Sequence, residues 1–356
     1  MRTLLAVAAV AAAGLLAACG SAPAKTTAAA TPVPATSLAT SLATTGDSWA
    51  VVPVAANPAF WQVFVRPGSS ASWQLVTPQG VADNGGLVAA GTGGSLTVAV
   101  RPDQGLRFSP LATTANGGAR WSTGLIDAGL AATPDALAAS GSQLLALLGN
   151  GTILASSDTG TTWRTLAGPG AIAGSPAGRG CGAVGVRDVS FGITGGEVLA
   201  AGTCGTASSA VFSYSASGWQ RVSLPVPGRV VRMMPGVMLV ANGSRLYAAW
   251  DTASGWAASP ALTGSGVVAA GSLAADGAWV LLPGHRAATV AGPGQPWRSL
   301  PAVPAGTAVL AAGPGGAVEA LAVSGSNMTV WRLAGAAAAW SKTQTTDVPV
   351  QYGSSS

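Results

Sequence analysis

Short hydrophobic runs alternate with tight-turn residues along most of the chain. From Asp47 onward, runs rich in Val, Leu and Ala are separated by GG, NG, PG, SG and GN pairs, and helical periodicity over ten residues is almost absent. Short apolar runs between glycine-containing turns are typical of β-strands joined by hairpins. The pattern therefore predicts an all-β domain that spans residues 46–356.

Tryptophan positions indicate an internal repeat within this domain. Seven tryptophans recur in similar settings about 45 residues apart on average: Trp73, Trp121, Trp163, Trp219, Trp256, Trp297 and Trp340. Repeats of this length that hold several strands each are characteristic of propeller blades. We therefore predict a seven-bladed, antiparallel β-propeller. Because pairing of the chain's two ends removes an exposed sheet edge, we expect Val348–Tyr352 to complete the first blade.

The first 18 residues have the pattern of a signal peptide. Arg2 supplies a positive charge, an apolar run extends from Leu4 to Leu16, and the segment closes with LAAC at Cys19. The run is too short to span a bilayer. The LAAC sequence resembles a bacterial lipobox, which implies a lipoprotein signal peptide over residues 1–18 and a lipid on Cys19. An ordinary secretory peptide or a buried helix is the alternative.

Residues 19–45 form a segment of small and polar residues. Ala, Thr, Ser and Pro dominate it, and it contains no aromatic residue. Such a composition buries too little apolar surface to offset the entropy of ordering, so we expect a disordered tether. The protein is then expected at the extracytoplasmic face of the cell membrane, held there by the Cys19 lipid.

The stretch SSDTGTTW has the form S-x-D-x-G-x-x-W. It resembles the Asp-box of sialidase-like and BNR-repeat propellers, with Ser156, Asp158, Gly160 and Trp163 on the motif positions. A weaker copy, TANGGARW, ends at Trp121. In that family the box is a structural turn between the outer two strands of a blade, and its carboxylate accepts backbone N–H bonds, so we assign Asp158 no catalytic role.

The family resemblance covers roughly residues 46–356, but only one box is intact. The other repeats keep the tryptophan and lose the aspartate. The chain also looks like actinobacterial envelope lipoproteins with BNR-like propellers, and like bacterial relatives of photosystem II assembly factors. Neither resemblance implies a defined activity.

Two cysteines remain besides Cys19. Cys181 and Cys204 both fall in the longest repeat and flank two predicted strands. An even pair in an exported protein favours a disulfide. Free thiols or metal binding are the alternatives.

Residues with catalytic potential are few. The glutamates are Glu197 and Glu319, the single histidine is His285, and the Arg-Ile-Pro motif of sialidases is absent. Glu197 follows a GG turn and is interpreted as a solvated strand-end residue, because the sequence nominates no partner for a nucleophile pair. His285 lies in a predicted turn, as a surface residue or a ligand contact. One histidine without nearby cysteines or carboxylates cannot form a zinc site, so we expect neither a metal nor a cofactor.

Charge and composition narrow the function further. Only 8% of the residues are charged, and the net charge of +5 arises from scattered arginines rather than from a basic run. This distribution argues against nucleic-acid binding. We expect a binding or assembly module that uses one mouth of the propeller to hold a protein or a cell-envelope polymer. A glycan-active enzyme of the sialidase-like or lyase type is the alternative, disfavoured by the scarcity of Glu, His and Tyr.

Overall fold

The fold is built almost entirely from antiparallel strands. A computed structural model describes residues 40–41, 48–54, 57–67, 72–78, 87–92, 95–100, 111–122, 134–193, 196–205, 208–273, 277–335 and 339–348. None of the helices within these ranges has the length and apolar character needed to cross a membrane.

In the first part of the described chain, two four-stranded blades flank a three-stranded sheet. The first blade holds β1 (Thr40–Ser41), β2 (Ser48–Val54), β3 (Asn57–Arg66) and β4 (Gln74–Leu75). The three-stranded sheet holds β5 (Leu87–Thr92), β6 (Ser95–Val100) and β7 (Leu111–Thr114). The second blade holds β8 (Pro134–Ser140), β9 (Gln143–Leu148), β10 (Ile153–Ser156) and β11 (Arg164–Ala167).

Four further blades follow. The third blade holds β12 (Ala183–Phe191), β13 (Val198–Cys204), β14 (Ser208–Ser215) and β15 (Gly218–Val222). The fourth holds β16 (Arg229–Met234), β17 (Val237–Asn242), β18 (Arg245–Thr252), β19 (Gly255–Ala258) and β20 (Leu262–Thr263), which pairs with β18. The fifth holds β21 (Ala269–Leu273), β22 (Gly277–Leu282), β23 (Arg286–Val290) and β24 (Arg298–Ser299). The sixth holds β25 (Thr307–Ala312), β26 (Val318–Ser324), β27 (Asn327–Leu333) and β28 (Ser341–Asp347).

Helical structure is confined to short connections in the described part of the chain. Helices α1 (Ala171–Gly174) and α2 (Pro176–Arg179) lie between the second and third blades. A 3-10 turn, Pro314–Gly316, joins β25 to β26.

The sheets follow one another around a propeller. Strand order within each sheet follows chain order. The first strand of each sheet contacts the first strand of the next, from β1 through β5, β8, β12, β16 and β21 to β25. These first strands therefore lie innermost, and the last strand of each blade lies at the outer edge. The prediction of an all-β propeller is confirmed.

The predicted blade number is wrong, because the structure has six blades of four or more strands rather than seven. The repeat that contains Trp121 contributes only the three-stranded sheet. After β7 the chain turns back, and the Ser122 amide donates to the Thr113 carbonyl (2.8 Å), but no fourth strand forms among the described residues of this repeat. A tryptophan in register therefore does not guarantee a complete blade.

The predicted completion of the first blade by Val348–Tyr352 falls mostly on residues that the structure does not describe. Strand β1 pairs with β2 in this blade, with Thr40 opposite Ala50. The Val348 amide instead donates to the Ser326 carbonyl (2.7 Å) in the sixth blade. Residues 349–356 lie outside the described part, and β1 falls within the segment predicted as a tether.

The recurrent tryptophans sit at or just before the last strand of each blade. Three of the indole N–H groups reach back to the end of the preceding sheet. Trp121 donates to the Val76 carbonyl (2.7 Å), Trp297 donates to Ser259 Oγ (3.0 Å), and Trp340 donates to the Pro301 carbonyl (3.3 Å). At these three positions the repeated tryptophan joins neighbouring sheets.

One hydrophobic cluster joins the end of the chain to its beginning. It includes Leu281 of the fifth blade, Leu321 of the sixth, Phe64 of the first and Leu96 of the three-stranded sheet, together with Val348. Burial of this apolar surface packs the sixth blade against the first and closes the ring.

Candidate functional site

An open pocket of about 330 Å³ lies where the first strands of the second, third and fourth blades approach one another. Ligand pockets commonly fall in this size range. Its charged side chains are three arginines and two aspartates: Arg187, Arg229, Arg232, Asp135 and Asp188. Thr203 and Ser209 complete the polar lining. We refer to this cavity as the arginine pocket.

β-Bulges place the charged residues at this position. In β8 the pairing register skips Asp135, and in β12 it skips Arg187. The corresponding bulge residues of β16 and β25 are Val231 and Ala308. A bulge redirects a side chain out of the regular alternation of a strand. Among these four described strands, the bulge residue itself is charged in the second and third blades and apolar in the fourth and sixth.

Two of the arginines are available for a ligand. Within the described residues, the ion pairs involve Glu319 with Arg66 and Arg332, and the side chains of Arg187 and Arg229 make no hydrogen bond or ion pair. A guanidinium group presents several N–H donors in a plane and suits bidentate contact with a carboxylate or a phosphate. The arginine pocket is therefore an anion-binding candidate.

Asp188 is a structural member of this pocket. Its Oδ2 accepts the Met233 amide (2.9 Å) and its Oδ1 accepts the Val189 amide (3.0 Å), which joins β12 to β16. Burial raises the pKa of Asp188, while nearby Arg232 and these hydrogen bonds act in the opposite direction. The carboxylate therefore fixes the position of β12 relative to β16, the strands that carry Arg187 and Arg232.

A second, apolar pocket of about 80 Å³ adjoins the first. Ile172 of α1, Val186 of β12 and Phe212 of β14 line it, together with Gly185 and Gly202. Gly202 lines both pockets, and an added Cβ there would lie 2.8 Å from the Gly185 carbonyl oxygen. The absence of side chains at these positions keeps the cavity open.

A disulfide holds the helical connection beside the apolar pocket. Cys181 follows α2 and is bonded to Cys204 at the end of β13, with an S–S distance of 2.20 Å. Ser175 caps α2, since its Oγ accepts the Gly178 amide (3.0 Å). The bond therefore ties α1 and α2 to the strand that carries Gly202.

The SSDTGTTW stretch forms the turn between β10 and β11, at the outer edge of the second blade. Ser156 Oγ donates to Asp158 Oδ1 (2.7 Å) and accepts the Gly160 amide (2.9 Å). Asp158 Oδ1 also accepts the Thr162 amide (2.9 Å), and the Trp163 indole donates to the Gly160 carbonyl (2.9 Å). The hydrogen bonds of Asp158 to Thr162 and Ser156 lower its pKa to about 2.

The weaker copy of the motif folds in the same way. Thr114 Oγ1 donates to Asn116 Oδ1 (3.0 Å) and accepts the Gly118 amide (3.1 Å), and Asn116 Oδ1 accepts the Arg120 amide (2.9 Å). The hydrogen bond that the Asp158 side chain accepts from the backbone of the turn has its counterpart at Asn116. The charge is thus dispensable for the turn, as expected for a structural motif.

Glu197 has a carboxylate neighbour that the sequence did not nominate. An ideal Cβ on Gly192 would lie 2.8 Å from Glu197 Oε2 and 3.1 Å from Asp251 Oδ2, so the two carboxylates face one another across this glycine. Partial burial and the charge of Asp251 raise the pKa of Glu197. Asp251 Oδ2 also accepts the Ile193 amide (3.1 Å), which gives the pair a role in holding this turn.

His285 lies in the turn between β22 and β23, where it is exposed and has a φ of 59°. It is not among the residues of either pocket. Across the described ranges, no group of three His, Cys, Asp or Glu side chains is close enough to hold a metal ion. Cys19 lies outside the described residues, so its lipidation stays a prediction.

Comparisons with known proteins identify the fold but no family. No protein-family model matches the sequence, and no curated protein sequence is significantly similar to it. A protein structure from Lactobacillus plantarum is 11% identical, with a TM-score of 0.53 over 85% of this chain and 97% of that one. A putative 6-phosphogluconolactonase from Bacteroides fragilis is 12% identical, with a TM-score of 0.50 over 86% and 97%. YCF48 bound to a D1 peptide is 18% identical, with a TM-score of 0.47 over 75% and 81%.

Proposed function

We propose that this protein is a membrane-anchored, extracytoplasmic binding or assembly module, and that the arginine pocket holds an anionic group of a protein or cell-envelope ligand. The observation that carries the proposal is the meeting of Arg187, Arg229 and Arg232 around one open cavity. Two of these guanidinium groups have no partner among the described residues, so a ligand anion can satisfy them without displacing an internal contact.

The chemistry of the pocket favours binding over catalysis. Arginine stays protonated in proteins and cannot serve as a general base. Asp188, a half-buried carboxylate, already accepts two backbone amides, and it is a poor candidate for proton transfer because those bonds hold it in place. The remaining carboxylate, Asp135, is exposed. Such a site recognises charge and shape.

The proposed location at the membrane rests on the N-terminal sequence pattern. The LAAC sequence at Cys19 supports lipidation, and the Ala/Thr/Ser/Pro-rich segment supports a tether between the lipid and the propeller. Substitution Cys19→Ala is expected to move the full-length protein from the membrane fraction to the soluble extracytoplasmic fraction. A variant that stays with washed membranes would contradict lipid anchoring and leave the pocket proposal intact.

Crosslinking in the native envelope, followed by mass spectrometry, tests the binding function. The pocket variant is Arg187→Gln with Arg229→Gln, and the control is Arg221→Gln with Arg245→Gln, which changes two exposed arginines outside the pocket. Loss of hydrogen bonds to a charged group is expected to reduce partner recovery about tenfold or more. Equal recovery from both variants would reject the arginine pocket as the binding site.

The glycan-active alternative has one observation in its favour, the Glu197–Asp251 pair. A raised pKa on one of two neighbouring carboxylates is the arrangement that glycosidases use for an acid and its partner. We expect no turnover of sialosides, aryl glycosides or polysaccharide fragments by the purified domain. Turnover that Glu197→Gln abolishes would replace the binding proposal with an enzyme.

A further inference from the structure

Strand β28 is the outer edge of the sixth blade and the longest outer strand that the structure describes. It spans seven residues, Ser341–Asp347, whereas the outer strands β4, β11, β15, β19 and β24 span two to five. Within the described ranges β28 pairs with β27, and no strand pairs with its other side. An edge strand of this length presents a row of backbone N–H and C=O groups to which another chain can bind.

A β-bulge places the two charged residues of β28 on one face of the sheet. Lys342 is opposite Trp331, Asp347 is opposite Asn327, and Thr343 is the extra residue of the bulge. Directly opposed residues of antiparallel strands lie on the same face, and so do alternate residues of a regular strand. Strand β27 pairs with β26 without a register shift, so Asn327 and Trp331 share a face. Lys342 and Asp347 therefore share a face as well, although an odd number of residues separates them in sequence.

Thr345 lies midway between the two charges on this face. It is opposite Thr329, which is two residues from both Asn327 and Trp331. The side chains of Lys342, Thr345 and Asp347 are exposed. Among the described residues, neither Lys342 nor Asp347 forms an ion pair or a side-chain hydrogen bond. The exposed face of this edge thus carries a free cation at one end and a free anion at the other.

We propose that β28 pairs with β28 of a second copy of this chain, in antiparallel orientation and with Thr345 opposite Thr345 of the partner subunit. A two-fold axis then passes through the threonine pair. In this register Lys342 of each subunit lies opposite Asp347 of the other, which forms two identical ion pairs. Gln344 and Thr346 are opposed in the same way on the other face. Opposite charges and threonine pairs at directly opposed positions favour such pairing.

The bulge and the lysine make this edge selective for its own copy. Both features commonly protect an edge strand against pairing with arbitrary strands. Without the bulge, Lys342 and Asp347 would lie on opposite faces and could not meet in a symmetric pair. A shift of the axis from Thr345 to Gln344 or Thr346 leaves neither charge opposite the other. The charges therefore specify one register, which an edge composed only of polar uncharged residues would leave undefined.

The dimer uses a part of the molecule that is separate from the arginine pocket. That pocket is lined by residues of the second, third and fourth blades, whereas β28 belongs to the sixth. Self-association through β28 therefore goes beyond the proposed ligand binding, and each can be rejected without the other.

Sedimentation velocity of the full-length chain with Cys19→Ser, in a non-ionic detergent that keeps the apolar N-terminal run dispersed, measures self-association. We expect a reversible monomer–dimer equilibrium. Lys342→Glu and Asp347→Lys each replace two attractive contacts with two repulsive ones, and each is expected to raise the dissociation constant of the dimer about tenfold or more. The control is Arg221→Glu, which makes the same charge change as Lys342→Glu on the exposed outer strand of the third blade. It should leave the dissociation constant unchanged.

The two single variants should complement each other when they are mixed. In a mixed dimer the introduced glutamate faces the introduced lysine, and the native Lys342 of one subunit faces the native Asp347 of the other. We expect this heterodimer, and the homodimer of the chain with both substitutions, to match the wild-type dissociation constant within about threefold. Neither a net-charge effect nor misfolding of one variant can produce such recovery.

Thr345→Cys tests the register without a change of charge. Opposed Cβ atoms in an antiparallel pair are about 5 Å apart, so a short bismaleimide should link the two introduced thiols. Ser341→Cys is the control, because the two Ser341 positions would lie about 20 Å apart in this register. A wild-type chain that stays monomeric, a dimer that Lys342→Glu does not weaken, an equal loss in Arg221→Glu, or a mixture without heterodimer would each overturn the proposal. Equal crosslinking at positions 345 and 341 would reject the register.

Discussion

Arg66 of the first blade and Glu319 of the sixth are 253 residues apart in sequence, yet Arg66 Nη2 lies 3.1 Å from Glu319 Oε2. Arg332 approaches the other oxygen, with its Nη2 2.6 Å from Oε1. The Glu319 side chain is 1% exposed, and Arg66 also lies over the Trp73 ring, 5.3 Å from its centroid. This buried carboxylate, shared by two arginines, joins the last blade to the first.

Removal of the Glu319 charge is expected to weaken ring closure. Glu319→Gln leaves two guanidinium groups without their counter-ion, and loss of one partner of a buried ion pair costs about 3 kcal/mol. Arg332→Gln is expected to cost less, about 1 kcal/mol, because Arg332 is 38% exposed. Urea unfolding of the isolated domain measures both. A Glu319→Gln midpoint equal to that of the wild type would show that the apolar cluster alone closes the ring.

The sequence predicted the propeller because its signal is local and repeated. The tryptophans mark equivalent turns, and each glycine-rich pair marks a hairpin, so fold class follows from short-range patterns. The number of blades does not follow from these short-range patterns. Whether the chain after Thr114 forms a fourth strand depends on backbone pairing beyond the turn, and the Trp121 motif is present in either case.

The arginine pocket could not be predicted from residue spacing alone. Arg229 and Arg232 are three residues apart, and in a regular strand such residues point to opposite faces. The bulge at Val231 adds one unpaired residue between them, so Arg229 and Arg232 point to the same face and both line the cavity. Arg187 comes from another blade. The charged residues meet because neighbouring first strands are adjacent in the ring, a tertiary relationship with no sequence pattern.

Glu197 is expected to reduce stability at neutral pH. Its folded-state pKa is raised by burial and by Asp251, so the native protein binds this proton more tightly than the unfolded chain does. This tighter proton binding stabilises the folded state at pH values below the ordinary glutamate pKa, and the stabilisation is lost as pH rises through the raised pKa. Glu197→Gln should therefore be more stable than the wild type at pH 7, with the difference shrinking toward pH 4.

Chemical denaturation of both proteins across this pH range measures the effect. Asp347→Asn is the control, because it removes an exposed carboxylate at the end of β28, in a different blade from Glu197. A Glu197→Gln protein that is less stable than the wild type at pH 7 would mean that the carboxylate makes a net favourable contact, and the repulsion by Asp251 would then be unimportant.

The Cys181–Cys204 bond is expected to contribute about 3 kcal/mol to the free energy of unfolding, since it closes a loop across a sequence separation of 23 residues. In a full-length chain that carries Cys19→Ser, Ellman titration of the unreduced, denatured protein should find no free thiol. Cys181→Ser with Cys204→Ser should unfold at the same urea concentration as the reduced protein. Two titratable thiols, or a double variant as stable as the oxidised protein, would contradict the bond or its contribution.

The Asp158 turn makes a pH-dependent contribution to the stability of the fold, and substitution of Asp158 can isolate it. The pKa of Asp158 is lowered from 3.8 to about 2, so its charged form is favoured in the folded state, and this stabilisation is present above pH 4 and lost as pH falls toward 2. Asp158→Asn should abolish this acid dependence yet lower the melting temperature only slightly at pH 7, because the Asn116 side chain accepts the equivalent backbone hydrogen bond in the TANGGARW turn. Asp158→Ala removes every acceptor and should melt at a lower temperature than Asp158→Asn. Equal melting temperatures for the Asn and Ala variants would show that the side-chain hydrogen bonds do not hold the turn, and that the packing of Gly160 against Leu111 and Leu144 does.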